Sequence, residues 1–369
     1  MLKKWCEVLT IVSGKNQKTV VSTDGRFPIY GSGGIIGYAS SYLCEAGTTI
    51  IGRKGTINKP IYVNQKFWNI DTAFGISPGK RLDSKYLYFF CCSFNFQALD
   101  KSTTIPSLSK KDLIQIQMTV PSLEEQKRIV AKIEELFSTL DASVAELQTA
   151  KEKLKVYRQA VLFRAFQNLA DTITMHQIAD MIDPQPSHRT PPEVINGIPY
   201  IGVGDIDYSV RKVKFGEARK VSPAVLQEHL ERYTLHKGDF IMGKIGTIGK
   251  PFIVPLPQDY TLSANVILIQ PDSEKIIPEF LYWQFSSPLV TQQLTTGAAA
   301  TSQPAFGIKK ARLLSIKMCS VEQQRQIVSE IEGALSICDS IQQTIDTSLQ
   351  QAEALRQSIL KQAFEGTLV

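Results

Sequence analysis

Apolar residues recur every seven positions through two stretches of the chain, 122–166 and 320–364. In the first, Ile133, Leu140, Leu147, Leu154 and Val161 form one row. Ile129, Leu136, Ser143, Ala150 and Tyr157 fill the companion position three residues later in each heptad. In the second, Ile331, Cys338, Ile345, Ala352 and Ile359 repeat the row, with Ile327, Ala334, Ile341, Ser348 and Leu355 beside it. A narrow stripe of period 3.5 is the pattern of a coiled-coil seam rather than a broad core-facing surface. Ser122 with Glu125, and Ser320 with Gln323, each supply the S-x-x-E/Q box that satisfies free amides of a first helical turn. Neither stretch contains proline, and only Gly333 interrupts. The pattern predicts two long helices; an ordinary bundle is the competing explanation of the heptads alone.

The two stretches also align with each other without a gap, at a constant offset of 198 and with 15 identities in 45 positions. The segments before them are related too. Gly52-Arg53-Lys54-Gly55-Thr56-Ile57-Asn58-Lys59-Pro60 matches Gly243-Lys244-Ile245-Gly246-Thr247-Ile248-Gly249-Lys250-Pro251. Lys85 to Phe89 matches Glu279 to Trp283. Thr103 to Leu108, followed by Lys110-Lys111, has its counterpart in Thr301 to Phe306, followed by Lys309-Lys310. Such self-similarity marks a tandem duplication. It divides the chain into a globule at 1–121, a helix at 122–171, a second globule at 172–319 and a second helix at 320–369. The second globule is longer, mostly ahead of its Gly-Lys-Pro motif. Short β-branched and aromatic runs such as Phe27–Tyr30, Thr48–Ile51 and Pro199–Val203, broken by Gly, Pro, Asn and Asp, predict sheet-rich α+β globules.

Composition narrows the class. At 43% hydrophobic and 21% charged residues the chain can bury real cores. No apolar run approaches the roughly 18 residues that a membrane helix needs, and the N-terminus does not read as a secretory leader. The six cysteines show no C-x-x-C spacing, so reduced thiols and a cytoplasmic protein are expected, with no metal and no cofactor. Net charge is +8 over residues 1–121, zero over 122–171, +2 over 172–319 and −4 over 320–369. Basicity thus sits in the globules, as it would if they met an anionic polymer while the helices met protein.

Catalytic chemistry is not legible. Gly31 to Gly37 is glycine-rich, but Tyr38-Ala39-Ser40-Ser41 and a further strand follow where a dinucleotide site would open a helix. Gly243 to Pro251 has the wrong spacing for a phosphate-binding loop, and Pro251 stands where the magnesium-binding hydroxyl belongs. Pro271-Asp272 lacks the acid-x-Lys triplet of a nuclease, and Asp183-Pro184-Gln185-Pro186 lacks the consecutive prolines and aromatic of an adenine methyltransferase. His176, His188, His229 and His236 read as ordinary histidines. A non-enzymatic binding protein is expected. Arg53, Lys54, Lys59, Lys101, Lys110, Lys111, Lys244, Lys250, Lys309 and Lys310 beside flexible loops are candidate phosphate contacts. Tyr30, Ser32, Tyr200, Ser302 and Gln303 are candidates at the tips facing base edges, and Thr103 is a further DNA-binding candidate.

Three phrases carry a resemblance: Tyr30 to Tyr38, Ile105 to Leu113, and Val120 to Val130, supported by Tyr200 to Ile206. With the alternation of globule and helix, the chain resembles the specificity subunits of type I restriction-modification systems along essentially its whole length. The resemblance implies two target-recognition domains, an antiparallel coiled coil, and double-stranded DNA as partner. It also implies two methyltransferase subunits that bind S-adenosylmethionine and motor-nuclease subunits that hydrolyse ATP. A helix of 45 residues spans about 68 Å at about 1.5 Å per residue, so a stiff pair would set the spacing of two DNA half-sites. A type IIB-like specificity subunit has the same organisation, and a coiled-coil scaffold with no DNA binding stays open as a different class.

Overall fold

Each proline-free heptad stretch is one uninterrupted helix of 45 residues, Leu123–Gln167 and Val321–Glu365. Their first turns are capped as the sequence dictates: Ser122 Oγ accepts from the Glu125 amide and Ser320 Oγ from the Gln323 amide. In this computed structural model, which describes residues 1–187, 189–298 and 305–369, the chain forms two compact units. Unit 1 comprises Met1–Thr149 and Ile345–Val369; unit 2 is Ala150–Thr344. Each unit therefore takes a globule, part of one long helix and the opposite part of the other.

The two globules share one topology. In unit 1 a four-stranded antiparallel sheet runs in the order Leu9–Ser13, Ala73–Pro78, Thr48–Gly52, Ile61–Val63. In unit 2 the order is Ala179–Ile182, Val266–Pro271, Phe240–Gly243, Gly249–Ile253. A three-stranded sheet accompanies each, with one parallel pair: Phe27–Gly31 beside Trp68–Asn69, and Ile198–Ile201 beside Thr261–Leu262. A short ribbon ties each globule's beginning to its end, Leu2–Lys4 with Gln117–Thr119 and Thr172–Thr174 with Ser315–Lys317. The extra length of the second globule holds a hairpin, Ile206–Asp207 with Lys212–Val213, and the helix Pro223–Leu230.

Burial of apolar surface fixes the helices to the globules. The unit 1 core contains Trp5, Tyr86, Leu87 and Phe90 together with Ile129, Val130 and Ile133 from the first helix and Ile359, Leu360 and Ala363 from the second. Phe364 packs its ring against Tyr86 and Phe90. In unit 2, Phe280 occupies the place of Tyr86 and receives Phe166, the counterpart of Phe364. Leu162, Ile331 and Leu335 join the same core. In each unit the helices run antiparallel, and an ion pair marks it. Asp141 bonds Arg356 in unit 1, and Asp339 bonds Arg158 at 2.7 Å in unit 2. Those four residues are two of the identities between the helical repeats, crosswise paired.

The row Ile133, Leu140, Leu147, Leu154, Val161 is covered along its length, as is its counterpart Ile331, Cys338, Ile345, Ala352, Ile359. Its companion row differs from the sequence expectation. Ile129, Leu136 and Ile327 are covered where a globule lies over the helix, but Tyr157, Ile341 and Leu355 are exposed. The covered neighbours stand four residues after the main row: Phe137, Val144, Lys151, Arg158 and Leu335, Gln342, Leu349, Arg356. Among them the Arg356 guanidinium lies 4.4 Å from the centre of the Phe137 ring, a cation stacked on an aromatic of the facing helix.

Two glutamines were not legible as important. Gln126 and Gln324, in equivalent positions of the helical repeats, are completely buried. Gln126 Oε1 accepts from the Asp83 amide at 2.7 Å, and Gln324 Oε1 from the Ile277 amide at 2.9 Å. Each thereby stitches a helix start to the loop before its globule's helix. The available signal was the shared Gln in S-x-E-x-Q.

Candidate nucleic-acid interface

The Gly-x-x-Gly-Thr segments leave the sheets at Gly52 and Gly243, and the glycines are dictated by backbone proximity. A Cβ at Gly52 would lie 2.1 Å from the Thr56 carbonyl oxygen, and one at Gly243 would lie 1.8 Å from that of Thr247. Gly55 and Gly246 then turn the chain at positive φ, +82° and +72°, where a side chain is strained. In unit 1 the Arg53 amide donates to the Thr72 carbonyl at 2.7 Å and the Leu108 amide to the Arg53 carbonyl at 2.8 Å. In unit 2 the Lys244 amide donates to Asn265 at 2.9 Å and the Phe306 amide to Lys244 at 2.8 Å. Single bridges Lys54–Ser107 and Ile245–Ala305 complete the match. Three separate segments of each globule thus converge on one surface: the glycine loop, the turn at Thr72 or Asn265, and the stretch before the short helix Lys110–Leu113 or Ile308–Ala311.

Several candidates sit openly on this construction. Lys54, Lys59, Thr103, Lys111, Lys250 and Lys309 are exposed, and Ser32 is half-buried, with its hydroxyl near Gly55. The matching bonds of the Leu108 and Phe306 amides and the bounds of the short helices make Lys111 equivalent to Lys309 and Lys110 to Ile308, one residue from the sequence match. Other cations are engaged internally. Arg53 lies over the Phe74 ring, Lys110 donates to the Ile11 carbonyl at 2.8 Å, and Lys310 donates to that of Gly297 at 2.8 Å. Lys101 pairs with Asp112 at 3.2 Å, an exposed pair of small energetic weight. The Lys250 ammonium lies 5.5 Å from the Tyr208 ring centre, on a residue held at φ +48°.

Three candidates do not reach the surface. Tyr30 is buried with its ring edge-on to Phe67, and Tyr200 is buried with its hydroxyl accepting from the Ala264 amide at 3.0 Å. Both are core aromatics of the three-stranded sheets rather than tips. Lys244 is 5% exposed and its ammonium contacts Asp183 at 2.7 Å, so it holds two segments of the globule together. Ser302 and Gln303, like His188, lie outside the described residues.

Unit 2 also contains a buried polar cluster that the sequence did not announce. His229 is fully buried, with Nδ1 bonded to Thr261 Oγ1 and Nε2 at 2.5 Å from Gln185 Oε1. Burial holds its pKa below the ordinary 6.5. The unfolded chain therefore takes up a proton that the folded one resists in the interval just below pH 6.5. Stability linked to this group is complete above that interval and declines as pH falls through it. We expect the melting temperature to drop between about pH 7.5 and pH 5.5, and to drop less in His229→Gln. Calorimetry at the two pH values decides; parallel losses in both proteins would contradict the assignment.

Among the described residues, no group of three or more His, Cys, Asp or Glu is arranged to hold a metal ion, and no helix is long and apolar enough to cross a membrane. The family described as the type I restriction modification DNA specificity domain matches residues 2–152 and 190–351. The chain belongs to this family. Relatives include the EcoBI specificity subunit of Escherichia coli, 26% identical over 352 residues that cover 86% of this chain and 73% of the relative. The StySPI specificity subunit of Salmonella potsdam is 23% identical over 347 residues, again covering 86% and 73%. A solved chain from the work titled "Structural basis underlying complex assembly and conformational transition of the type I R-M system" has a TM-score of 0.75 at 15% identity. It covers 100% of this chain and 98% of its own. The HsdS subunit from Thermoanaerobacter tengcongensis has a TM-score of 0.54 at 16% identity, covering 100% and 97%. The whole chain thus shares the family's fold, two sheet-rich domains alternating with two long antiparallel helices. Its role is sequence specificity in a type I restriction-modification system.

Proposed function

We propose that this chain is the non-catalytic reader of an asymmetric, bipartite DNA target, with residues 1–121 contacting one half-site and 172–319 the other. The observation that carries this reading is the recurrence of one loop construction in both globules with unlike outward side chains: Lys54 and Thr72 in one, Ile245 and Asn265 in the other. Equal scaffolds present two binding heads, and unequal side chains predict unequal half-sites. Lys54, Lys59, Lys111, Lys250 and Lys309 are assigned to phosphates, where they position the protein without carrying sequence information. The paired helices act as the spacer, and their surfaces dock two methyltransferase subunits, which supply S-adenosylmethionine chemistry. Motor-nuclease subunits join this assembly on the DNA, in the cytoplasm.

Exchange of residues 172–319 for the corresponding domain of a relative is expected to change one half-site and leave the other intact. Methylome sequencing of a host that expresses the chimera with its methyltransferase reads this directly. A change in both half-sites, or in neither, would refute the division of labour. Gel shifts with the methyltransferase present are expected to weaken steeply as salt rises from 50 to about 200 mM, since phosphate contacts release counterions. Salt-independent or absent DNA binding would favour a scaffold.

A further inference from the structure

One hairpin tip in unit 1 presents apolar side chains to water beside the loop assigned to DNA. Gly34–Ala39 is the outer strand of the three-stranded sheet and pairs with Phe27–Gly31. Among the described residues, no strand covers its other edge from Gly34 to Gly37. Opposite Ile29 and Tyr30 the register slips, so Ile36 is an extra residue with no partner across the ladder. A bulge of this kind bends the strand and re-aims its side chains. Ile35 and Ile36 are 53% and 55% exposed.

Close approaches place the tip. Ile36 Cγ2 lies 3.8 Å, and Thr72 Oγ1 3.6 Å, from where a Cβ would stand at Gly31. The isoleucine therefore stands near the Thr72 turn, whose carbonyl accepts from the Arg53 and Lys54 amides. Ser32 Oγ lies 3.7 Å from where a Cβ would stand at Gly55. The turn itself is bare. A Cβ at Gly33 would touch nothing within 4 Å, and its φ lies outside the left-handed region, so neither packing nor strain demands glycine there. A glycine with no use inside the fold suits the close approach of another molecule to its backbone. Unit 2 has no such tip. Its Gly202 amide donates to Asp205 Oδ2 at 2.8 Å, closing a short turn, and Lys220–Val221 stands beside Ile198–Ile201 in place of the hairpin strand.

We propose that Ile35 and Ile36 read thymine in the first half-site, by contact with its C5-methyl group in the major groove. The inference rests on the functional reading above and names a base and the side chains that recognise it. The major groove admits a two-stranded β-ribbon, and the thymine methyl is the apolar feature among its base edges. An aliphatic pair held in water gains by covering that methyl, and gains nothing from phosphates. Residues 1–121 carry a net charge of +8, which favours a polyanion over an apolar protein surface as the occupant. Lys54 on the adjoining loop can hold a phosphate while the ribbon reaches the bases. Because the tip exists in unit 1 alone, thymines of the second half-site are read by other means.

The test uses the full chain in complex with its methyltransferase, on duplexes carrying the target that methylome sequencing identifies. Uracil, which is thymine without the methyl, is placed singly at each thymine of either half-site. At one or more positions of the first half-site, uracil is expected to weaken binding about three- to fivefold, the loss of one buried methyl. In the double variant Ile35→Ala, Ile36→Ala the same duplexes are expected to bind as well as their thymine parents, while any uracil effect in the second half-site stays as before. Both side chains are exposed, so the melting temperature is expected to hold. A first half-site without thymine, no uracil effect there in the unsubstituted chain, or an effect that survives the double substitution overturns the inference. Each of these spares the functional reading, which the domain exchange tests separately. Weaker assembly of the double variant with the methyltransferase in the absence of DNA would assign the tip to a protein contact and overturn the inference as well. Absence of DNA binding by the unsubstituted complex overturns both.

Discussion

Seven residues inserted within 138–152, with seven more at the matching place in the second helix, are expected to lengthen the spacer between half-sites and leave the half-site bases unchanged. One heptad returns the seam to the same face, so the added turns continue the existing packing. At about 1.5 Å per residue the insertion adds about 10 Å, or about three base pairs of duplex at about 3.4 Å each. Affinity for the original spacing should fall by orders of magnitude, because both heads can no longer engage together. Insertion into one helix alone should do worse, since it displaces Asp141 from Arg356 or Asp339 from Arg158 without a matching shift. Methylome sequencing reads spacer and half-sites at once. An unchanged spacer would end the idea that the paired helices measure distance.

The second large effect is expected from Lys244→Met. The substitution leaves the mostly buried Asp183 carboxylate without its 2.7 Å partner. Removing one member of a buried pair costs about 3–5 kcal/mol, and the partial exposure of Asp183 puts this case at the lower end. For a unit of this size, about 3 kcal/mol corresponds to a fall of about 6–12 °C in melting temperature. Asp183→Asn added to Lys244→Met should recover much of the loss, because the stranded charge is then gone. Readout of the second half-site should weaken with unit 2, and the first should persist. A melting temperature within about 1–2 °C of the parent, by calorimetry, would show that the pair carries little weight.

The contrast between Arg53 and Lys244 shows where sequence reading stopped. They occupy the same place in the same phrase, and both looked like phosphate ligands. Arg53 is half-buried over Phe74, whereas Lys244 is drawn inward by Asp183, a residue 61 positions away. Nothing local distinguishes them. Tyr30 and Tyr200 failed for the same reason, since an aromatic next to a glycine turn is a tip or a core residue according to what lies beneath it.

The helices were more legible because their geometry is local. A period of 3.5, the caps at Ser122 and Ser320 and the absence of proline determine two long rods whatever surrounds them. The duplication needed only self-comparison, and the fold class followed from it. Which flank of the main row would be covered did not. The choice of Val144 and Arg158 over Ser143 and Tyr157 depends on the opposing helix, whose register the crossed Asp–Arg pairs mark. The sequence by itself therefore determined the repeat, the rods and the sheet-rich heads, all of which are set by backbone periodicity and chain order. Only the tertiary structure decided which charges face outward and which glutamines are buried. Burial and pairing are properties of residues distant in sequence, and they exist only once the chain has closed.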